Sequence, residues 1–341
     1  MKHRIQFLRR RRDFIILLGG AAAPSGLGPL PLRAQTAVAV RRVGLLSPLI
    51  ETTDETRRLS AVLTAGLNEL GWTDGRNIHL EQRWSGGDND RLRADARELA
   101  RLPAEVILAI TSPAVAALKQ EAPAIPVVFV AVSDPVGSGF VNSLSRPGGN
   151  ITGFINLEAS LSGKWLELLK EVVPGLTHAG FMFNPETAPF ADYYLRAFEA
   201  AAPAAAVAAV VVPVHDPNDI EGAVRALKAK PVAGLIVMPD TFTTVNRRRI
   251  IELAARERLP VVYANGATVR QGGLIGYGVD NVESVRGAAS YVHRILRGEK
   301  PGDLPVQTPT KFELVINLKT AKALGLDVPP TLLARADEVV E

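Results

Sequence analysis

Short apolar runs alternate with amphipathic segments along most of this chain, and the alternation restarts once. Val43-Gly44-Leu45-Leu46 reads as a buried strand ended by Ser47-Pro48. Over 56–70 the positions Leu59, Val62, Leu63, Gly66, Leu67 and Leu70 fall at i, i+3, i+4, i+7, i+8 and i+11. That spacing is one face of a helix, and Gly71 supplies its stop. Ile78, Leu80 and Gln82 alternate with His79, Glu81 and Arg83 as a half-exposed strand, and Asp88 or Asp90 can cap a helix reaching Arg101. Strands over 106–110, 127–132 and 151–154, with helices over 114–120 and 140–144, complete the first series. The second opens with a helix over 162–173, followed by a strand over 179–183 and a helix over 190–202. A strand over 208–214, a helix over 220–230 opened by Asp219, a strand over 235–238 and a helix over 247–258 come next. Strands over 261–263 and 274–277, a helix over 283–297, a strand at Val315-Ile316 and a helix over 319–324 finish it. The spacing predicts an α/β fold, with mainly parallel sheets covered on both faces. Two series of about 110–120 residues each predict two lobes.

Composition narrows the class. Hydrophobic residues make up 47% and charged residues 22% of the chain, which is globular rather than disordered. There is no cysteine, so disulfides, thiolate metal sites and a cysteine nucleophile are excluded. The +4 charge is concentrated at the start, where residues 1–34 carry seven lysines and arginines against Asp13 alone. Removing those seven from 39 and that one from 35 leaves 32 basic and 34 acidic residues, so no nucleic-acid partner is expected. The run Phe14 to Leu18 between four arginines and Gly19-Gly20-Ala21-Ala22-Ala23 is too short to span a bilayer and has the anatomy of an export signal. Arg11-Arg12-Asp13-Phe14-Ile15 matches the twin-arginine pattern. Residues 1–34 are expected to be the signal peptide, with cleavage between 34 and 39 and a periplasmic mature protein. The stretch 200–214 is interrupted by Pro203 and Pro213, which argues against a membrane span.

No nucleophile elbow, phosphate-binding loop, zinc helix or dinucleotide fingerprint occurs. His79, His178, His215 and His293 show no ligand spacing, and Arg247-Arg248-Arg249 reads as a solvated helix face. The informative chemistry lies where strands end, since ligands of open parallel sheets bind outside the strands' carboxyl ends. Those ends carry Ser47, Thr111, Ser112, Ser133, Asp134, Asn184, Asp240 and Tyr277. The plainer reading of each Ser, Thr, Asp or Asn before a proline is a helix cap. Asp134 can do both, capping a short helix while facing a cleft. Trp84, Phe242 and Tyr277 are candidate cleft aromatics, with core packing the alternative for each.

Arg11–Leu18, Gly66-Leu67-Asn68-Glu69-Leu70-Gly71, Ser133-Asp134-Pro135-Val136, Arg146-Pro147-Gly148-Gly149-Asn150-Ile151-Thr152-Gly153, Tyr277-Gly278 and the block from Pro309 to Ala321 resemble the ABC transporter substrate-binding proteins, tryptophan-receptor-like group. The resemblance runs over nearly the whole chain. It implies a two-lobed type I periplasmic binding fold that closes over a small molecule and docks on ABC permease subunits. A monomer with no cofactor and no catalytic step is expected. Two departures fall near the expected ligand: Glu186-Thr187-Ala188-Pro189 stands where an Asn-rich loop is usual, and Pro239-Asp240-Thr241-Phe242 replaces Asp-Pro-Phe-Phe. The expected lobes are 41–153 with a return near 276–302, and 154–273 with about 306–335. An amino acid, an aromatic acid or another small carboxylate is the expected solute. The competing classes are a Tat-exported enzyme, against which the missing catalytic motifs count, and a ligand-sensing partner of a signalling kinase.

Overall fold

The computed structural model describes residues 40–156 and 158–341, so the expected export signal and cleavage point lie outside the described residues. The chain begins with β1 (Arg41–Ser47), α1 (Asp54–Glu69), β2 (Ile78–Trp84), α2 (Asn89–Arg101), β3 (Val106–Ile110), α3 (Ser112–Glu121), β4 (Val127–Val132) and β5 (Ile151–Ile155). These five strands form one parallel sheet in the order β2-β1-β3-β4-β5. Alternate residues of each strand enter opposite cores, as a two-residue period requires. Val43, Leu45, Val106 and Leu108 face the core under α1, whereas Leu46, Ile107 and Ala109 face that under α2 and α3.

The second series runs α4 (Leu161–Val172), β6 (His178–Phe183), α5 (Ala191–Ala201), β7 (Ala208–Pro213), α6 (Asp219–Lys228), β8 (Ala233–Val237), α7 (Thr241–Val245), α8 (Arg247–Arg256), β9 (Val261–Tyr263), α9 (Gly266–Arg270) and β10 (Ile275–Gly278). It ends with α10 (Asn281–Leu296), β11 (Glu313–Asn317), α11 (Leu318–Leu324), α12 (Pro330–Leu333) and β12 (Glu338–Val340). Its seven-stranded sheet has the order β12-β11-β10-β9-β8-β6-β7 and is parallel except for the β10–β11 pair. Two helix-flanked, mostly parallel sheets make this a two-lobed α/β protein.

The chain passes between lobes after β5, after β10 and before β11. Strand β10 belongs to the second sheet, while α10 returns to the first and buries Val285, Ala288, Val292 and Ile295 in the core that α1 also covers. Gly66 lets α1 and α10 meet: a Cβ there would lie 3.0 Å from that of Ala289. Near the crossovers, Gly153 adopts φ +153°, and a Cβ would come within 2.1 Å of the Phe129 carbonyl oxygen. Thr152 Oγ1 donates to the Leu304 carbonyl at 2.6 Å, and Gln307 N to that of Gly153 at 2.9 Å. The Arg-Pro-Gly-Gly-Asn-Ile-Thr-Gly segment thus fastens the returning chain to the edge of the first sheet.

Two sequence expectations are corrected. Residues 140–144 are not helical. The N–H groups of Phe140 and Val141 both point to the Pro135 carbonyl, and Asn142 N donates to the Pro147 carbonyl, so the segment is folded into turns. Leu70 is exposed, because α1 ends at Glu69 before its face repeats again.

Candidate interlobe binding site

The carboxyl ends of β1, β3, β4, β8, β9 and β10 face a cavity of about 70 Å³ between the lobes. Thr111, Ser112, Asp240, Thr241, Asn265 and Asn281 are among the residues that line it, and Leu59, Ile110, Val130, Phe190 and Val279 supply its apolar wall. An outer groove of about 890 Å³ shares Ser112, Pro113 and Phe190 with the cavity and adds Phe140, Tyr193 and Asp134. Among the cavity's lining residues Glu55 and Asp240 are ionisable acids, and no lysine or arginine is present.

The expected site residues separate into three groups. Thr111, Ser112 and Asp240 line the cavity. Thr111 stands at the start of α3 with φ 75° and ψ 161° and makes no side-chain cap; its hydroxyl instead meets that of Thr241 at 3.2 Å, across the lobes. Ser112 Oγ accepts from Ser133 N at 3.2 Å. Asp240 caps α7 through Phe242 N at 2.7 Å and also accepts from Asn184 N at 2.9 Å and Thr187 Oγ1 at 2.5 Å. Burial pushes its carboxyl up to about 6, against the opposing pull of those three donors.

Asp134 lies in the outer groove, where its Oδ1 accepts from Gly137 N at 2.8 Å and closes a turn. The other four line neither space. Ser47 Oγ accepts from Leu49 N at 3.2 Å. Ser133 Oγ bonds the Tyr194 hydroxyl at 2.9 Å, joining the lobes. Asn184 spends its side chain locally, accepting from Glu186 N and Thr187 N and donating to the His215 carbonyl. The Tyr277 ring stacks on Phe312 at 5.9 Å. Of the candidate aromatics, Trp84 is core and Phe242 packs on the second lobe's outer core. Phe190 is the aromatic that reaches the cavity.

Sequence reasoning missed several partners. Arg247, expected on a solvated face, is buried and pairs with Glu55 of the first lobe at 2.5 Å. Asn156 and Asn265 sit just beyond β5 and β9, so extending the strand-end rule to every strand would have found them. Among the described residues three side-chain bonds bridge the lobes: Thr111–Thr241, Ser133–Tyr194 and Glu55–Arg247. The molecule is therefore in a closed arrangement. Among the described residues no group of three or more histidine, aspartate or glutamate side chains gathers as a metal site.

Two facing lobes with strand ends meeting over a cleft define a solute-binding protein. The chain belongs to the ABC transporter substrate-binding protein family, whose model matches residues 53–340. It is similar to the tyrosine-binding protein of Clostridioides difficile, with 26% identity over 263 residues, 76% of this chain and 74% of that one. A conserved domain protein from Vibrio cholerae superposes with a TM-score of 0.82 at 27% identity, over 88% of this chain and 99% of that one. An ABC domain in complex with L-Trp from Streptococcus pneumonia gives 0.81 at 24%, over 89% and 100%. Binding a solute for an ABC importer is the general role this membership assigns.

Proposed function

We propose that the protein is an extracytoplasmic receptor for an amino acid, held with its ammonium end in the interlobe cavity and its side chain toward the outer groove. The observation that carries this reading is the cavity's charge. Asp240 is the lining acid with no cationic partner, Glu55 being paired with Arg247 behind the wall, and a buried carboxylate there favours a solute bearing an ammonium over an aromatic acid or simple carboxylate lacking one. The hydroxyls of Thr111, Ser112 and Thr241 and the start of α3 offer hydrogen bonds to a carboxylate. A space of about 70 Å³ is smaller than the roughly 150 Å³ that holds benzene, so the side chain extends into the groove flanked by Phe140, Phe190 and Tyr193. The tyrosine-binding relative and the L-Trp complex support an aromatic side chain.

A thermal-shift and calorimetric panel of L-amino acids against their deaminated analogues tests this. A ligand at about 100 times its Kd adds about 2.7 kcal/mol of stability, enough to stand out in a screen. The expected result is stabilisation by an aromatic L-amino acid and none by its deaminated form. Stabilisation by sugars or simple carboxylates alone would overturn the reading. Export through Arg11-Arg12 belongs to the same proposal: Arg11→Lys with Arg12→Lys is expected to leave the precursor in the cytoplasm, and normal periplasmic accumulation would point to the general secretory route.

A further inference from the structure

An open sheet edge is a row of unpaired backbone donors and acceptors, and proteins that stay apart guard such edges with charged side chains or a covering loop. The outermost strands of the two sheets here are β2, β5, β12 and β7. The returning chain covers β5, since Ile155 N donates to the Gln307 carbonyl at 3.0 Å. β2 carries His79, Glu81 and Arg83, and β12 carries Glu338 in an ion pair with Arg270. β7 is different. From Ala200 to Val214, a stretch that contains the whole of this strand, no side chain is charged or polar.

The free side of β7 can be read from its bonds. Ala208 N donates to the Thr177 carbonyl at 2.8 Å and Val214 N to that of Phe183 at 2.9 Å, so the even-numbered residues turn their backbone groups toward β6. The N–H and C=O groups of Ala209 and Val211 therefore point away from the sheet. Both residues are exposed, Val211 to 43%, whereas Val212 is buried under α6 and Val210 packs against the same core. Pro213, which has no N–H to offer, closes the row.

We infer that β7 is a dimer interface, where two copies of this chain pair their β7 edges antiparallel about a twofold axis. A strand without charge meets itself without repulsion. Centred on Val210, the pairing sets Ala209 of each copy opposite Val211 of the other, and such opposed residues exchange both backbone bonds. The flanking charges fit the same partner. Asp216 follows the end of β7, while Lys170 reaches the Ala205 carbonyl just before its start. Asp216 accepts from Asn218 N, but neither side chain has an ion-pair partner among the described residues. Antiparallel pairing lays the end of one β7 beside the start of the other, so Asp216 of each copy comes beside Lys170 of the second. Residues 208–213 line neither the cavity nor the outer groove, so pairing leaves the solute site free and stands apart from the identity of the solute.

Sedimentation velocity of the unliganded mature protein over a concentration series tests this. Wild type is expected to pass from monomer to dimer as concentration rises. Val211→Lys adds a charge at an exposed position and spares the core; it is expected to melt as wild type does and to stay monomeric. Asp216→Lys and Lys170→Asp are each expected to weaken the dimer at least about tenfold, equivalent to about 1.4 kcal/mol, and in combination to restore it. Wild type that is monomeric at every concentration, or Val211→Lys that dimerises unchanged, would overturn the inference. So would a double exchange that associates no better than the single ones. If wild type stays monomeric while Val211→Lys weakens binding to reconstituted ABC permease, the edge serves the permease and the inference fails.

Discussion

Thr111 holds a backbone conformation, φ 75° and ψ 161°, that is otherwise the province of glycine, and it does so at the mouth of the binding site. Two substitutions separate the strain from the bond to Thr241. Thr111→Ala keeps the strain and loses the bond, whereas Thr111→Gly loses both. Glycine usually costs about 0.5–1 kcal/mol relative to alanine inside regular structure, but relief of about 1–3 kcal/mol should reverse the order here. Urea unfolding is expected to find Thr111→Gly the more stable of the pair; the ordinary ranking would mean that the conformation is not strained. Asp240 adds a pH dependence. Its carboxyl titrates at about 6 when folded and near 3.9 when unfolded, so between those values the folded state holds a proton that the unfolded state lacks. Its contribution is fully present below about pH 4 and is lost as pH rises through about 6, by up to about 3 kcal/mol. The stability of wild type relative to Asp240→Asn is expected to fall between pH 4 and pH 7. A difference independent of pH would place the carboxyl in its ordinary range.

At the level of elements, α1 and α10 meet closely at Gly66. Gly66→Val would drive branched atoms into Ala289, and overpacking of this kind costs about 1–3 kcal/mol. A lower melting temperature with an unchanged Kd is the expected result, since the joint is remote from the cavity lining. Long elements such as α1 and α4 were legible because their apolar period covers several turns. The five-residue helices α7 and α9 were not, because Thr-Phe-Thr-Thr-Val and Gly-Ala-Thr-Val-Arg are too short to show a period. Phe140, Val141 and Leu144 imitate a helical face, yet the Pro135 carbonyl gathers two of their N–H groups into turns. The strand-end rule found Thr111, Ser112 and Asp240 because it concerns where a sheet stops. It could not find Tyr194 or Arg247, whose partners Ser133 and Glu55 come from the other lobe.

For the whole molecule, the lobes are bridged by few side-chain bonds, and among the described residues Glu55–Arg247 is the ionic one. Glu55→Gln would leave a buried guanidinium without its counter-charge, a strongly unfavourable arrangement that opening the lobes relieves. Small-angle scattering of the unliganded variant is expected to give a larger radius of gyration than wild type, and ligand should dissociate faster; an identical radius would remove the pair from the closing contacts. The return of α10 to the first sheet bears on how the protein is made. Core residues contributed by β1 to β5 stay open to water on one side until residues 281–296 have been synthesised, more than a hundred positions later. The first half of the chain cannot finish folding while the second is still on the ribosome, and its contacts close a very long loop. A fragment covering 40–156 is accordingly expected to aggregate on its own and to become soluble when co-expressed with 157–341, so that the order of synthesis, rather than the binding site, decides when this molecule first becomes a single body.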